Sequence, residues 1–284
     1  NYGFGQFIAS KLNLADTPVN LHEWRELVGR ISTDKRKITV GLVAKYTTME
    51  DTYLSVFEAL KSAGWFHNVD VVINRIDAES LEPVGVNVAE ILHGCDGIIV
   101  PGGFGTRGIE GKIKAAEFAR ENHIPYLGLC LGLQIAVIEF ARHVLGWTDA
   151  NSTEFNAQTQ YPVIHIMEYQ KQITDKGGTM RLGAYPCLLT ANTKAMAAYG
   201  VSEISERHRH RYEFNNQYRS EFQTAGMVLS GVSPDEELVE MIELKDHPWF
   251  VATQAHPEFK SRPNRPHPLF REFIAAVIHS TSLL

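Results

Sequence analysis

The chain has 284 residues, 44% hydrophobic and 21% charged, enough apolar material for one large core of the ordinary soluble kind. Its 27 basic and 33 acidic residues leave a net charge of −6, which argues against general nucleic-acid binding. Three cysteines (Cys95, Cys130, Cys187) do not make a disulfide framework, and there is neither a run of membrane-spanning length nor a secretory signal pattern, so a reducing cytoplasm and no membrane partner are expected.

Residues 1–37 read as an arm. Phe7, Ile8, Leu12 and Leu14 have the spacing of a short amphipathic helix, and a polar stretch then ends in Asp34-Lys35-Arg36-Lys37. The globular pattern starts with a strand at Ile38–Ala44. A helix around Tyr53–Ala63, strands at Val69–Ile76 and Gly97–Val100, and a helix around Gly111–Asn122 follow. A strand then runs into Cys130, and helical spacing resumes over Gln134–Arg142. Beyond Glu154 the shorter strand candidates Val163–Met167, Leu182–Leu189 and Leu238–Leu244 read as antiparallel additions. Phe250–Ala255 rejoins the core and Leu269–Ile278 closes with a helix. The alternation predicts an α/β fold: a mostly parallel central sheet with helices on both faces and added antiparallel strands.

Gly103-Phe104-Gly105-Thr106-Arg107-Gly108 has the G-x-G-x-x-G spacing of a dinucleotide loop, but the next strand ends in Leu129-Cys130 where a ribose-binding acid would stand. Gly105 through Gly111-Lys112-Ile113 approaches a phosphate-binding loop, yet the interval is one residue too long and Ile113 replaces the hydroxyl that holds magnesium. What this loop offers is backbone amides after a buried strand, suited to a developing oxyanion.

Cys130 stands between Gly128 and Gly132, at the junction of an apolar strand and a helix. This is the pattern of a nucleophile elbow, in which glycines make room for the turn and the helix N-terminus favours thiolate. The same cysteine also fits as a buried core residue, so the functional reading needs a base. Trp249–Glu258 offers one, in an apolar strand that ends in His256-Pro257-Glu258. Pro257 should keep the chain extended after His256, letting imidazole and carboxylate share one side. A carboxylate on one ring nitrogen fixes the tautomer and leaves the other nitrogen for a thiol proton. A surface His-Pro turn beside an unrelated Glu is the alternative.

Glu206-Arg207-His208-Arg209-His210-Arg211-Tyr212-Glu213 concentrates cations and imidazoles. Its positive neighbours oppose metal binding by His208 and His210. A basic strand that holds an anion or a carboxylate fits better, with a solvated face as the alternative.

Together these blocks resemble the glutaminase domains of CTP synthases, within the class I (triad) glutamine amidotransferases. The likeness rests on Pro101–Gly108, Leu127–Gln134, Asn151-Ser152-Thr153-Glu154-Phe155, Gly177-Gly178-Thr179-Met180-Arg181-Leu182-Gly183, Arg207–Asn215 and His256-Pro257-Glu258-Phe259 with Ser261-Arg262-Pro263. The elbow and His-Pro-Glu mark the superfamily; the Gly-Gly-Thr-Met-Arg-Leu-Gly and Arg-His-Arg-His-Arg-Tyr-Glu blocks are more specific to CTP synthases.

The resemblance implies a flavodoxin-like class I amidotransferase fold over residues 38–284. Cys130 is then the nucleophile, His256 the general base and acid, and Glu258 its orienter, with an oxyanion hole from Gly103 and the Leu131 amide. Gln134, Glu154 and Arg211 would hold L-glutamine. Glu154 suits the α-ammonium and Arg211 the α-carboxylate, although read alone they are a loop cap and a surface charge. Hydrolysis would run through a γ-glutamyl thioester and supply ammonia for amination of UTP to CTP. Residues 1–37 would connect to a synthetase domain, absent from these residues, that binds ATP, magnesium and UTP. GTP would activate near the junction, with Arg107-Gly108-Ile109-Glu110 as a contributor; no cofactor or metal is expected in this domain, and the full-length enzyme is expected to be a homo-oligomer. Two alternatives stand beside this reading. The intact Cys–His–Glu set argues against a catalytically quiet interaction module, and the more specific blocks argue against a stand-alone γ-glutamyl cysteine hydrolase.

Overall fold

The computed structural model describes residues 3–15, 20–49, 51–166 and 180–282, so the expected strand end at Met167 and the residues Gly177, Gly178 and Thr179 lie outside the described residues. The chain forms two units, Asn1–Asp34 and Lys35–Leu284. In the first, α1 (Phe4–Lys11) carries the expected amphipathic spacing. A second helix, α2 (His22–Ser32), stands where only a polar stretch was expected, because Trp24, Leu27, Val28 and Ile31 recur at helical intervals among charged neighbours. Phe4, Phe7, Ile8, Trp24, Val28 and Ile31 are all exposed.

The second unit runs β1 (Lys37–Ala44), α3 (Leu54–Phe66), β2 (Asp70–Asp77), α4 (Val88–Ile91), β3 (Gly97–Val100), α5 (Ile109–Glu121), β4 (Tyr126–Leu129) and α6 (Leu131–His143). It continues β5 (Asn151–Ser152), β6 (Pro162–Ile166), β7 (Arg181–Leu189), α7 (Lys194–Tyr199), β8 (Glu203–His210), β9 (Tyr212–Phe214) and α8 (Arg219–Thr224). Then come β10 (Met227–Val232), β11 (Val239–Leu244), β12 (Phe250–Thr253) and α9 (Pro268–Ser282).

The main sheet is ordered β2-β1-β3-β4-β12-β11-β10-β7-β8. From β2 to β12 each neighbouring pair is parallel, and from β12 to β8 each is antiparallel. The later strands therefore extend a parallel core, and β12 rejoins that core beside β4, as the sequence predicts. β3 and β4 are short apolar runs buried on both faces, the usual composition of a covered parallel strand. β8, at the sheet edge, alternates instead: Ile204, Glu206, His208 and His210 point inward, and the residues between them outward. A second sheet is formed by β5, β6 and β9. Helices α5 and α6 pack on one face of the main sheet around Val43, Ile98 and Val100, and α3, α7 and α9 on the other around Val40, Leu42 and Ile99.

Because β3, β4 and β12 are parallel neighbours, the segments that leave their carboxyl ends emerge together: the Pro101–Gly103 turn, Cys130 and His256. Two glycines make this convergence tight. A Cβ on Gly132 would lie 2.2 Å from the Val100 carbonyl oxygen, and one on Gly128 would lie 2.7 Å from the Gly132 backbone. Gly132→Ala is therefore expected to cost about 1–3 kcal/mol, the usual penalty for overpacking, read as a lower denaturant midpoint. Gly29→Ala, in α2 with open space around it, should not lower that midpoint.

Candidate active site

Cys130 is the hinge between β4 and α6. Its backbone sits at φ 52° and ψ −100°, a conformation an L-residue rarely adopts and one that costs on the order of 1–3 kcal/mol. Backbone hydrogen bonds hold it there: its amide donates to the Thr253 carbonyl of β12 at 2.8 Å, and its carbonyl accepts from the Leu133 amide at 3.1 Å and the Gln134 amide at 3.5 Å. The side chain is buried, with Sγ 3.9 Å from the Arg209 carbonyl of β8. Gly102 closes the other side. A Cβ there would stand 2.8 Å from His256 Cε1 and 3.5 Å from Cys130 Cβ, so only glycine lets the loop pass between ring and thiol.

His256 follows β12, and its amide donates to the Arg207 carbonyl at 2.7 Å, pinning the ring beside β8. The imidazole Nδ1 donates to Glu258 Oε1 at 2.8 Å, which leaves Nε2 as the second nitrogen, buried without a hydrogen-bond partner. The chain does not stay extended past His256, as Pro257 suggested. Residues Pro257–Phe259 form a 3₁₀ turn with proline in its first position, where the missing N–H costs nothing, and this turn folds Glu258 back onto the ring. Burial disfavours the charged imidazole, but Cys130 and Glu258 outweigh it and push His256 up to about 10 from an ordinary 6.5.

The expected glutamine-holding residues also converge. Gly103, Gln134, Glu154, Arg211 and Cys130 line one hollow of about 20 Å³, together with Phe104 and Tyr212. Leu131, the first residue of α6, packs its side chain against Gly103, 3.2 Å from where a Cβ would stand. Its amide lies at the helix N-terminus, where amides have no acceptor within the helix. Gln134 is buried, and its amide nitrogen donates to Tyr212 O at 3.1 Å and Gln254 Oε1 at 3.3 Å. Glu154 Oε1 accepts the Gly105 amide at 3.1 Å. A larger cavity of about 270 Å³ also reaches Cys130 and His256 and is lined by Lys45, Tyr53, Gly102 and Arg209. Lys45 and Tyr53 belong to no sequence motif; only their places at the ends of β1 and α3 bring them here. In the stretch expected to meet GTP, Arg107 pairs with Glu79 at 2.8 Å over the Tyr46 ring, and Glu110 with Arg142 at 2.7 Å.

Behind the hollow, the alternation of β8 divides the Arg-His-Arg-His-Arg block. His208 and His210 turn inward, 3.0 Å apart, while Arg207 and Arg209 turn outward. Arg181 of β7 fills the interior, bonded to Glu240 at 2.7 Å and Glu213 at 3.1 Å. Burial, reinforced by the Arg181 charge, holds His208 down to about 3, and burial pushes Glu213 up to about 8 against the pull of Arg181. Arg181 thus occupies the space between Glu213 and Glu240, and the two imidazoles stay neutral. Among the described residues, no group of three or more His, Cys, Asp or Glu is placed to hold a metal, and no helix is long and apolar enough to cross a membrane.

The family model for glutamine amidotransferase class-I matches residues 48–276. The chain belongs to that family. Within it, this class-I domain is 59% identical over 274 residues to the CTP synthase of Chloroflexus aurantiacus, covering 96% of this chain and 50% of that protein. It is 57% identical over 281 residues to the CTP synthase of Carboxydothermus hydrogenoformans, covering 99% and 52%. The chain thus spans about half the length of the curated relatives it matches. In structure it is similar to the Trypanosoma brucei CTPS glutaminase domain with bound acivicin: TM-score 0.80, 39% identity, covering 85% of this chain and 94% of that one. The chain is therefore a class-I glutamine amidotransferase domain that is similar, along nearly its whole length, to about half of each of these CTP synthases.

The His256 environment has a measurable sign. Its native pKa lies above the unfolded value, so its contribution to stability is complete below about pH 6.5 and is lost as the pH rises through about 10. An NMR titration of the ring should give a midpoint far above 6.5, and Cys130→Ala should lower it. An unchanged midpoint in that variant would remove the thiol as a cause.

Proposed function

We propose that this domain hydrolyses glutamine through a γ-glutamyl thioester on Cys130. The observation that carries the reading is the strained, buried cysteine at a helix N-terminus beside an imidazole whose other nitrogen is bonded to Glu258. Glutamine enters with its α-ammonium toward Glu154 and its α-carboxylate toward Arg211, which places the side-chain amide at Cys130. The sulfur attacks the amide carbon; the new S–C bond drives electrons onto oxygen, which faces the Gly103 loop and the Leu131 amide. His256, having taken the thiol proton, delivers it to the departing nitrogen as the C–N bond breaks and ammonia leaves. The ring then becomes a base toward water, which cleaves the thioester to glutamate and restores the thiol. Gln134 acts from beneath, fixing Tyr212 next to Arg211.

The double length of the CTP synthase relatives supports a wider reading. Ammonia released here feeds the amination of UTP to CTP by a synthetase domain that uses ATP and magnesium, residues 1–37 connect to that domain, and GTP activates the pair. The exposed apolar side chains of α1 and α2 suit a surface covered by such a partner. The full-length enzyme is read as a cytoplasmic homo-oligomer.

Steady-state ammonia release from glutamine tests the chemistry. Cys130→Ala should abolish release with little change in folding, since a small side chain fits the elbow, and a glutamine-like electrophile should label Cys130 while sparing Cys95 and Cys187. Labelling that persists in Cys130→Ala would overturn the nucleophile. Substrate recognition is tested separately. Arg211→Ala and Glu154→Ala should each raise KM about tenfold or more, because a charge-assisted hydrogen bond is worth about 1.5–3 kcal/mol; two variants with unchanged KM would refute the assigned binding mode.

A further inference from the structure

Lys45 lies just past the end of β1 and is buried. Its ammonium is directed at main chain: Nζ donates to the carbonyl oxygen of Phe104 and, at 2.8 Å, to that of Gly105. The Phe104 carbonyl and the Gly105 amide belong to one peptide. A trans peptide is planar with its C=O and N–H pointing in opposite directions. With the oxygen held by Lys45, the N–H must aim away from it, and it meets Glu154 Oε1 at 3.1 Å. A cation, a peptide dipole and a carboxylate thus stand in line, and the charge on the oxygen strengthens the amide as a donor.

The consequences fall on the candidate site. The same short loop carries Gly102 against the His256 ring and Cys130, and Gly103 against Leu131, so its position sets where the proposed oxyanion donors point. The hollow beside Glu154, about 20 Å³, shares Gly103, Phe104 and Cys130 with the cavity of about 270 Å³ that Lys45 lines. The carboxylate assigned to the substrate's α-ammonium is occupied by a neutral amide. An ammonium makes a charge-assisted bond roughly twice as strong as a neutral one, so it can compete with that amide for Glu154.

We propose that Lys45 is a positioning residue for glutamine hydrolysis: through the Phe104–Gly105 peptide it sets the oxyanion loop and keeps the Gly105 amide on Glu154 until the substrate's α-ammonium displaces it. This rests on the glutaminase reading above. The experiment compares wild type, Lys45→Met and Lys45→Arg in steady-state glutamine hydrolysis, with kcat expressed per Cys130 thiol titrated by a glutamine-like electrophile, so that misfolded molecules do not count. Lys45→Met should lower kcat at least tenfold, toward the hundredfold or more that a lost oxyanion donor costs. Its KM should stay the same or fall, because the Gly105 amide then competes less for Glu154. Lys45→Arg should recover most of the rate, since a guanidinium also reaches two carbonyls. A Lys45→Met enzyme with kcat per titrated thiol within twofold of wild type would overturn the proposal, as would a raised KM or the absence of rescue by arginine. A wild-type chain that neither labels at Cys130 nor releases ammonia would sink the glutaminase reading itself, and the proposal with it.

Discussion

The hydrogen bond from the Cys130 amide to the Thr253 carbonyl joins the ends of two parallel strands that are far apart in the chain and adjacent in the sheet. It is one of the few contacts able to hold a cysteine at φ 52° and ψ −100°. The strain is local, and the restraint comes from the whole core: β4 is buried between β3 and β12, and α6 sits within van der Waals contact of the Val100 carbonyl because Gly132 has no side chain. Without that packing the turn would relax and the thiol would leave the line between the Gly103 loop and His256. Strain of this kind persists only where the surrounding structure over-determines it.

Electrostatics then sorts chemically identical groups by their neighbours. Three imidazoles, His208 and His210 buried and His256 half-buried, stand within one region of the fold. His256, between a thiol and a carboxylate, is pushed up to about 10, whereas His208 is held down to about 3 by burial and Arg181, and His210 well below its ordinary value. The result is one charged ring at the sulfur and two neutral rings behind it that brace β8. Bracing matters because β8 and its end provide the Arg207 carbonyl that pins His256, the Arg209 carbonyl near Cys130 Sγ, and Arg211 in the hollow. Beneath the glycine loop, Lys45 meets two of its carbonyls, and burial together with the Lys45 charge lowers the buried Lys112 to about 7.

Parts of this were legible in the amino-acid order itself. The strand–helix alternation up to Arg142, the elbow at Cys130 and the return of the last strand to the core all follow from local signals: buried apolar runs of four to eight residues, glycines at fixed offsets, and helical spacing. Those signals are short-range and survive without knowledge of the partner. α4, β5, β9, β10, α7 and α8 lie outside the sequence expectations: several are very short, and an antiparallel strand such as Met227–Val232 mixes polar and apolar residues according to which neighbour covers them. The turn at Pro257–Phe259 differed for a similar reason. Proline permits both an extended chain and the first turn of a 3₁₀ helix, and the Glu258–His256 bond selects the second.

Sequence by itself determined the class of fold and the candidate residues, because G-x-C-x-G and His-Pro-Glu state local geometry and local chemistry that no distant contact needs to supply. Only the tertiary structure decided which of those residues meet and in what state. The parallel order of β3, β4 and β12 brings Gly102, Cys130 and His256 to one point, β8 turns its histidines inward and its arginines out, and Lys45, a lysine in no motif, reaches two carbonyls of a loop some sixty residues away. Proton affinity, hydrogen-bond occupancy and the size of a hollow depend on distances between segments remote in the chain, and such distances exist only once the chain has packed.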